Sequence, residues 1–166
     1  PADNPFFAAG ASLGGEVGAN IQKIYSYGHR NGFGMAFDPF SGHLWLSENG
    51  DDSFSEITRV IPGMNGGWIK NAGPLSRLSQ FKSIETTLFN RALQQVRYPP
   101  TRVAYAPSLA SARMVMLPGA VYQDPEFSWL YEIGPSGAAF VAGQNRHHEA
   151  PVFIQHQYCR VLVFVA

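Results

Sequence analysis

Gly34-Met35-Ala36-Phe37-Asp38-Pro39-Phe40-Ser41-Gly42-His43-Leu44-Trp45-Leu46-Ser47 is the stretch that decides the fold class. Two runs rich in bulky apolar residues flank Asp38-Pro39-Phe40-Ser41-Gly42. Pro39 presets φ for the second position of a type I turn, and Gly42 accepts a positive φ at its end. The stretch reads strand, turn, strand. Downstream, Ser55-Glu56-Ile57-Thr58-Arg59-Val60-Ile61 reads as another short strand, Pro62-Gly63-Met64-Asn65-Gly66-Gly67 as a turn, and Trp68-Ile69 as extended chain again. Short strands at this spacing, joined by Gly- and Pro-bearing turns, predict one blade of an all-β propeller.

Working outward, residues 1–20 are rich in Gly and Ala with few bulky apolar positions, and a loop is expected there. Ile21-Gln22-Lys23-Ile24-Tyr25-Ser26-Tyr27 is expected to be a strand entering a Gly-rich turn. Residues 75–97 differ: Leu78, Phe81, Ile84 or Glu85, Leu88, Phe89, Ala92 and Val96 recur near helical spacing until Pro99-Pro100 stops the pattern. An amphipathic helix, broken near Thr86-Thr87, is expected as an insertion between blades; its simplest role is to cover apolar surface. Residues 101–143 read as loops and short strands, with Pro135-Ser136-Gly137 turning into a strand. Residues 144–166 join a polar segment, 144–149, to a bare apolar run, 161–165.

Charge and composition narrow the class. Hydrophobic residues make up 45%, the globular norm, and charged residues only 14%, with twelve Lys+Arg against twelve Asp+Glu. No basic excess argues for nucleic acid or an anionic membrane surface. No run of about 18 apolar residues occurs, so no transmembrane helix is expected. Cys159 stands alone, which rules out an internal disulfide and a C-x-x-C metal knuckle. The chain opens at Pro1 with no Met and no charged-then-apolar leader, so the start of the gene product is expected to lie upstream.

Three groups of residues carry chemistry. In Gly28-His29-Arg30-Asn31, the Arg is permanently cationic and offers a planar fork to a carboxylate, and Asn supplies a donor and an acceptor. In Ser47-Glu48-Asn49-Gly50-Asp51-Asp52, carbonyl and carboxylate oxygens crowd a Gly-containing turn, which suits a hard cation, although the spacing is not that of an EF-hand. Glu56 lies on a strand ahead of the turn Asn65-Gly66-Gly67-Trp68, whose carbonyls it could meet. Each group alone reads equally as surface loop, solvated turn or surface carboxylate.

Taken together, in order and spacing from Gly28 to Trp68, they resemble the soluble quinoprotein glucose dehydrogenase and aldose sugar dehydrogenase family. The matching stretches are G-H-R-N with Gly34-Met35-Ala36-Phe37, then Ser47-Glu48-Asn49-Gly50, Glu56-Ile57, and Pro62-Gly63-Met64-Asn65-Gly66-Gly67-Trp68. Leu117-Pro118-Gly119, Asp124-Pro125-Glu126-Phe127-Ser128-Trp129 and Pro135-Ser136-Gly137 extend the likeness across residues 1–143. The resemblance implies a six-bladed β-propeller, of which about three blades fall in this chain at about 40–45 residues per blade. It also implies an oxidoreductase that uses pyrroloquinoline quinone and Ca2+ to oxidise the hydroxyl of a sugar or polyol, passes electrons to an acceptor, and works in the periplasm or as a secreted protein. By the same resemblance, Arg30, Asn31, Asn49 and Trp129 contact the quinone. The carbonyls of Gly50 and Asp51 hold a catalytic calcium, and Glu56 with the Gly66 carbonyl holds a second, structural calcium elsewhere.

Two positions depart from the family pattern: Asp51 stands where proline is common, and Gly66 where tyrosine is common. Backbone ligation tolerates both. The family's catalytic base is a histidine in an earlier blade, and no histidine precedes His29 here, so no catalytic residue is assigned and the chain alone is expected to be inactive. A propeller module that binds a glycan or protein partner without catalysis is the alternative. The resemblance ends near residue 143. Residues 144–166 read as a divergent tail, and His147, His148, His156 and Cys159 within it are not read as a zinc site.

Overall fold

The computed structural model describes residues 1–50, 54–68, 70–71, 73–77, 106–129 and 134–140, and the backbone of 152–155 and 160–163. The expected hairpin is present as β1 (Gly32–Phe37) and β2 (Leu44–Glu48). Its loop closes on Asp38, whose N–H donates to the His43 carbonyl at 2.8 Å and whose carbonyl accepts the Gly42 N–H at 2.9 Å. Gly42 takes the positive φ, 71°, that the turn demands.

β3 (Ser55–Val60) follows as expected and pairs antiparallel with β2, setting Trp45 against Arg59, Ser47 against Ile57 and Glu48 against Glu56. A short β6 (Phe127–Trp129) pairs with β3, which completes an antiparallel sheet of order β1-β2-β3-β6. Met64–Asn65 (β4) and Val121–Tyr122 (β5) form a small parallel pair. A second antiparallel sheet contains β7 (Gly137–Phe140), β8 (Val152–Gln155) and β9 (Arg160–Val163). The core lies between the two sheets. Trp45 and Ile57 are buried there, Trp129, Ala138 and Phe140 pack on them, and the Phe140 ring meets Trp45 edge-on at 6.2 Å. Gly34 lets the sheets touch, because a Cβ there would lie 2.6 Å from backbone atoms of Gly137 and Ala138.

Several elements differ from expectation. Residues 1–20 are not a loop: they form α1 (Phe7–Leu13) and α2 (Gly15–Ile21). The small residues that read as loop are what let these helices cross closely. A Cβ on Gly10 would sit 2.4 Å from the Gly18 carbonyl, and one on Gly18 would sit 2.3 Å from that of Gly10. Phe6 anchors the pair, fully buried, with its ring 5.6 Å from Tyr27. The strand expected over 21–27 reduces to a single bridge from Tyr27 to Asn65, because Ile21 already belongs to α2. Trp68 does not resume extended chain, since the N–H groups of Lys70 and Asn71 both return to the Gly67 carbonyl. Pro107–Arg113 is a helix (α3), with Pro at its start and Ala110 buried, where loops and strands were expected. Of the helix expected over 75–97, Leu75–Arg77 forms a 3-10 turn and the rest lies outside the described residues. Within residues 144–166, whose domain assignment is a separate matter of sequence, Val152–Gln155 and Arg160–Val163 extend the β7 sheet.

Candidate functional site

The three motif segments meet at one end of the first sheet. The loop Tyr25–Arg30 runs beside the 63–68 turn and is stitched to it along its length. Tyr25 accepts from Gly63 at 2.9 Å, Tyr27 donates to Met64 at 3.0 Å and accepts from Gly66 at 2.8 Å, and Gly28 accepts from Trp68 at 2.9 Å. Gly28 makes the approach possible: its φ is 77°, and a Cβ would fall 2.2 Å from Asn65 Oδ1 and 2.8 Å from the Gly67 nitrogen.

Glu48, the last residue of β2, grips the same loop from the opposite side. Its Oε1 accepts the Arg30 backbone N–H at 2.6 Å, its Oε2 lies 2.7 Å from His29 Nδ1, and His29 Nε2 is 3.0 Å from Ser26 Oγ. The carboxylate is buried, at 5% residue exposure, and both of its oxygens are used on residues 29–30. Arg30 is thereby fixed at its backbone. Its Nη1 donates to the carbonyls of Asn49 at 2.9 Å and Gly50 at 3.0 Å, and its guanidinium carbon stands 5.5 Å from the centre of the Trp68 ring.

The β2–β3 register puts Glu56 directly across from Glu48. Glu56 accepts the Gly73 N–H. Burial pushes its pKa up to about 8, the nearby Glu48 charge adds to the rise and Asp124 adds less, and the Gly73 bond opposes it. Below that pH the carboxyl is mainly protonated, so the pair need not carry two charges. Arg30, Glu48, Asn49, Gly50, Glu56, Gly66 and Asn71 line a cavity of about 20 Å³, closed by Gly28, Phe54 and Trp68. That volume holds one water-sized species. The side-chain carbonyl oxygens of Asn49 and Asn71 are buried with no hydrogen-bond partner among the described residues. The Asn71 amide N–H groups go to the Gly73 carbonyl at 3.0 Å and to the Tyr122 hydroxyl, which donates to Asp124 at 2.5 Å.

Five of the residues singled out by sequence, Arg30, Asn49, Gly50, Glu56 and Gly66, line this one cavity, whereas two separate calcium positions were expected. Asn31 is exposed just ahead of β1, its carbonyl accepting the Asn49 N–H at 2.9 Å. Trp129 does not line the cavity; it pairs with Ser55 and packs on the Trp45–Ile57 core. Asp51 lies outside the described residues. Sequence reading placed Glu48 in an oxygen-rich turn suited to a cation but gave it no part in holding Arg30, and it gave Asn71 no role. The signal for Glu48 was present, a carboxylate ending an apolar strand that must turn its alternate residues inward. Glu48→Gln keeps one acceptor but loses the charge facing His29 and the second acceptor. It is expected to cost about 1–2 kcal/mol, read as a lower urea midpoint at neutral pH.

A larger cavity, about 260 Å³, lies beyond the 63–68 turn, lined by Ile21, Ile24, Tyr27, Trp68, Val115 and Leu117 among others. It contains no carboxylate, so the smaller cavity is the candidate site. Among the described residues no group of three or more His, Cys, Asp or Glu side chains could hold a metal, so a cation here would depend on carbonyl and amide oxygens beside the two glutamates. No helix among the described residues is long and apolar enough to cross a membrane.

Fold and site together define a β-sheet scaffold whose loops gather an arginine, paired carboxylates and unshared oxygens round one small cavity. The chain belongs to the glucose/sorbosone dehydrogenase family, whose model matches residues 1–124. It is 44% identical to the aldose sugar dehydrogenase YliI of Escherichia coli over 68 residues, 41% of this chain and 16% of that protein. It is 40% identical to the quinoprotein glucose dehydrogenase B of Acinetobacter calcoaceticus over 73 residues, 44% of this chain and 13% of that protein. A solved glucose dehydrogenase superimposes with a TM-score of 0.55 at 25% identity, covering 99% of this chain and 36% of the other. The chain spans at most 27% of the curated relatives it matches here.

Proposed function

We propose that this chain is part of a dehydrogenase that oxidises a sugar or polyol hydroxyl with pyrroloquinoline quinone and Ca2+, built on a six-bladed propeller and working in the periplasm or outside the cell. The observation that carries the reading is the convergence of Arg30, Asn49, Gly50, Glu56 and Gly66 on one cavity. A hard cation fits what lies there. Ca2+ takes oxygen ligands at about 2.3–2.6 Å, and the cavity offers the Glu56 carboxylate and two buried amide oxygens without partners among the described residues. Glu56 and the Gly66 carbonyl would hold a structural ion; the cavity has room for one, so a catalytic ion on the carbonyls of Gly50 and Asp51 would sit outside it.

An anionic cofactor fits Arg30. Its guanidinium is fixed at the root by Glu48 and sits against Trp68, at the edge of the same cavity. Asn31 and Asn49 would supply polar contacts, and Trp129 would have to swing from the core to join them. When bound, the quinone supplies the hydride acceptor and the cation polarises it. The chain's own part is to bind and orient: Arg30 stabilises negative charge, and Glu48 sets where Arg30 stands. The exposed apolar stripe Phe33, Met35 and Phe37 along one face of β1 supports a neighbouring blade, because such a stripe needs covering. The names of the related aldose sugar and quinoprotein glucose dehydrogenases support the sugar and the quinone.

The test is reconstitution of the whole protein. Reduction of a dye by an aldose should require both quinone and calcium, and activity indifferent to both would overturn the reading. Arg30→Lys keeps the charge but loses the planar fork. It is expected to weaken quinone binding about ten- to a hundredfold by equilibrium titration, and an unchanged titration would remove Arg30 from the role.

A further inference from the structure

We infer that Tyr122 is a positioning residue for the proposed Glu56 cation site: with Asp124 it locks the Asn71 amide so that the Asn71 side-chain oxygen meets the cavity as a further ligand. The inference rests on the calcium reading above and goes beyond it, because it names a ligand and a supporting shell that the family resemblance did not imply. Asn71 is 1% exposed and lines the cavity, and its Oδ1 is buried without a partner among the described residues. A buried acceptor left bare is unfavourable, so the site is incomplete without a donor or a cation beside that oxygen.

Which end of the amide meets the cavity is fixed from outside. Asp124 is exposed, and its Oδ1 accepts the Leu75 N–H at 2.9 Å and the Tyr122 hydroxyl at 2.5 Å. A carboxylate only accepts, so the hydroxyl proton points to Asp124 and the Tyr122 oxygen is left to accept. Asn71 Nδ2 donates one hydrogen to that oxygen and the other to the Gly73 carbonyl at 3.0 Å. Both amide hydrogens are spent there, and Oδ1 is the end that remains. Turned over, the amide would set its oxygen against the Gly73 carbonyl, acceptor against acceptor. Gly73 also gives its N–H to Glu56, which ties Asn71 and Glu56 to the same residue. The cavity holds one water-sized species, so an ion in it lies beside both. The frame behind them is fixed as well. The Asn71 N–H returns to the Gly67 carbonyl at 3.0 Å, and β5 sets Tyr122 opposite Asn65. Gly67 admits the pair, since a Cβ there would lie 2.9 Å from the Tyr122 ring and 3.1 Å from Asn71 Cβ.

The experiment titrates the whole protein, stripped of metal and quinone, with CaCl2 by calorimetry. The binding step that Glu56→Gln removes marks the site. Tyr122→Phe keeps the ring, cuts the chain of hydrogen bonds and changes no charge. It is expected to weaken that step about tenfold. Asn71→Ala removes the ligand itself and should weaken the step at least as much. The two losses should not add: within Asn71→Ala, Tyr122→Phe should cost nothing further. A Tyr122 that served the fold alone would leave calcium affinity unmoved, or lower it by one factor in both backgrounds. Either result would overturn the inference and leave the calcium reading standing. If no calcium step is lost in Glu56→Gln, both fall together. Should Asn71→Ala fail to fold, Asp124→Asn takes its place. Its amide can donate as well as accept, so the hydroxyl is no longer held to one direction. It should weaken the step by a larger factor in the wild type than in Tyr122→Phe, where the chain is already cut, and equal factors would overturn the inference.

Discussion

In the presence of a chelator, the chain is expected to lose on the order of 4 kcal/mol of folding stability as the pH rises from about 4.5 to above 8. Glu56 titrates at about 8 in the fold and near 4.5 when unfolded. Between these values the folded state keeps a proton that the unfolded chain has released. The stability tied to that proton is complete below 4.5, declines through the interval and is gone above 8. The cause is burial first, then the Glu48 charge across the β2–β3 ladder. Glu56→Gln keeps an acceptor for the Gly73 N–H and carries no charge, so it should flatten the profile and be the more stable form at pH 9. Urea midpoints at pH 5 and pH 9 measure this. A wild type whose stability rises over the interval, or a variant with the same slope, would sink the assignment. On the calcium reading proposed above, the ion would bind the deprotonated carboxylate, so saturating calcium should offset the loss in the wild type and leave Glu56→Gln unmoved at that site.

Gly28→Ala is expected to cost roughly 3 kcal/mol or more, from about 1–2 for the left-handed backbone and about 1–3 for overpacking. The new methyl has nowhere to go: Asn65 Oδ1 would lie at 2.2 Å and the Gly67 nitrogen at 2.8 Å. Relief requires the 25–30 loop to lift from the 63–68 turn, which breaks the bonds that aim Arg30. Thermal melting should show the cost, and quinone titration should weaken with it. Gly42→Ala is the control. Its φ of 71° is similar, but nothing lies within 4 Å, so only the backbone strain applies. Equal losses in the two variants would show that the packing at Gly28 is unimportant.

Local chemistry made part of the molecule legible. Asp38-Pro39-Phe40-Ser41-Gly42 between two apolar runs specifies a hairpin without reference to the rest of the chain, and Ser55–Val60 forms the expected strand, paired on both edges. Gly28-His29-Arg30-Asn31, Ser47-Glu48-Asn49-Gly50 and the 62–68 turn were recognisable as a set because their spacing is a property of the sequence. Residues 1–21 were not legible. Glycine and proline judged singly argue against helix and interrupt the alanines there, and only the contact of Gly10 with Gly18 gives that smallness its purpose. Pro107–Arg113 was missed for a related reason, since a short helix without an apolar stripe leaves little periodic signal.

The site divides along the same line. Sequence alone determined which residue types this protein has for chemistry: a permanent cation in Arg30, carboxylates at 48 and 56, and glycines that let backbone come close. Tertiary structure decided that Glu48 faces Glu56, that Glu48 holds Arg30, that Gly50 and Gly66 open on one cavity, and that Trp129 lies in the core instead. The physical reason is range. A turn or a strand is set by neighbours a few bonds away, whereas a raised carboxyl pKa, an oxygen left without a donor and a shared cavity depend on strand register and loop docking. Those are fixed only when segments up to dozens of residues apart exclude water from the same space.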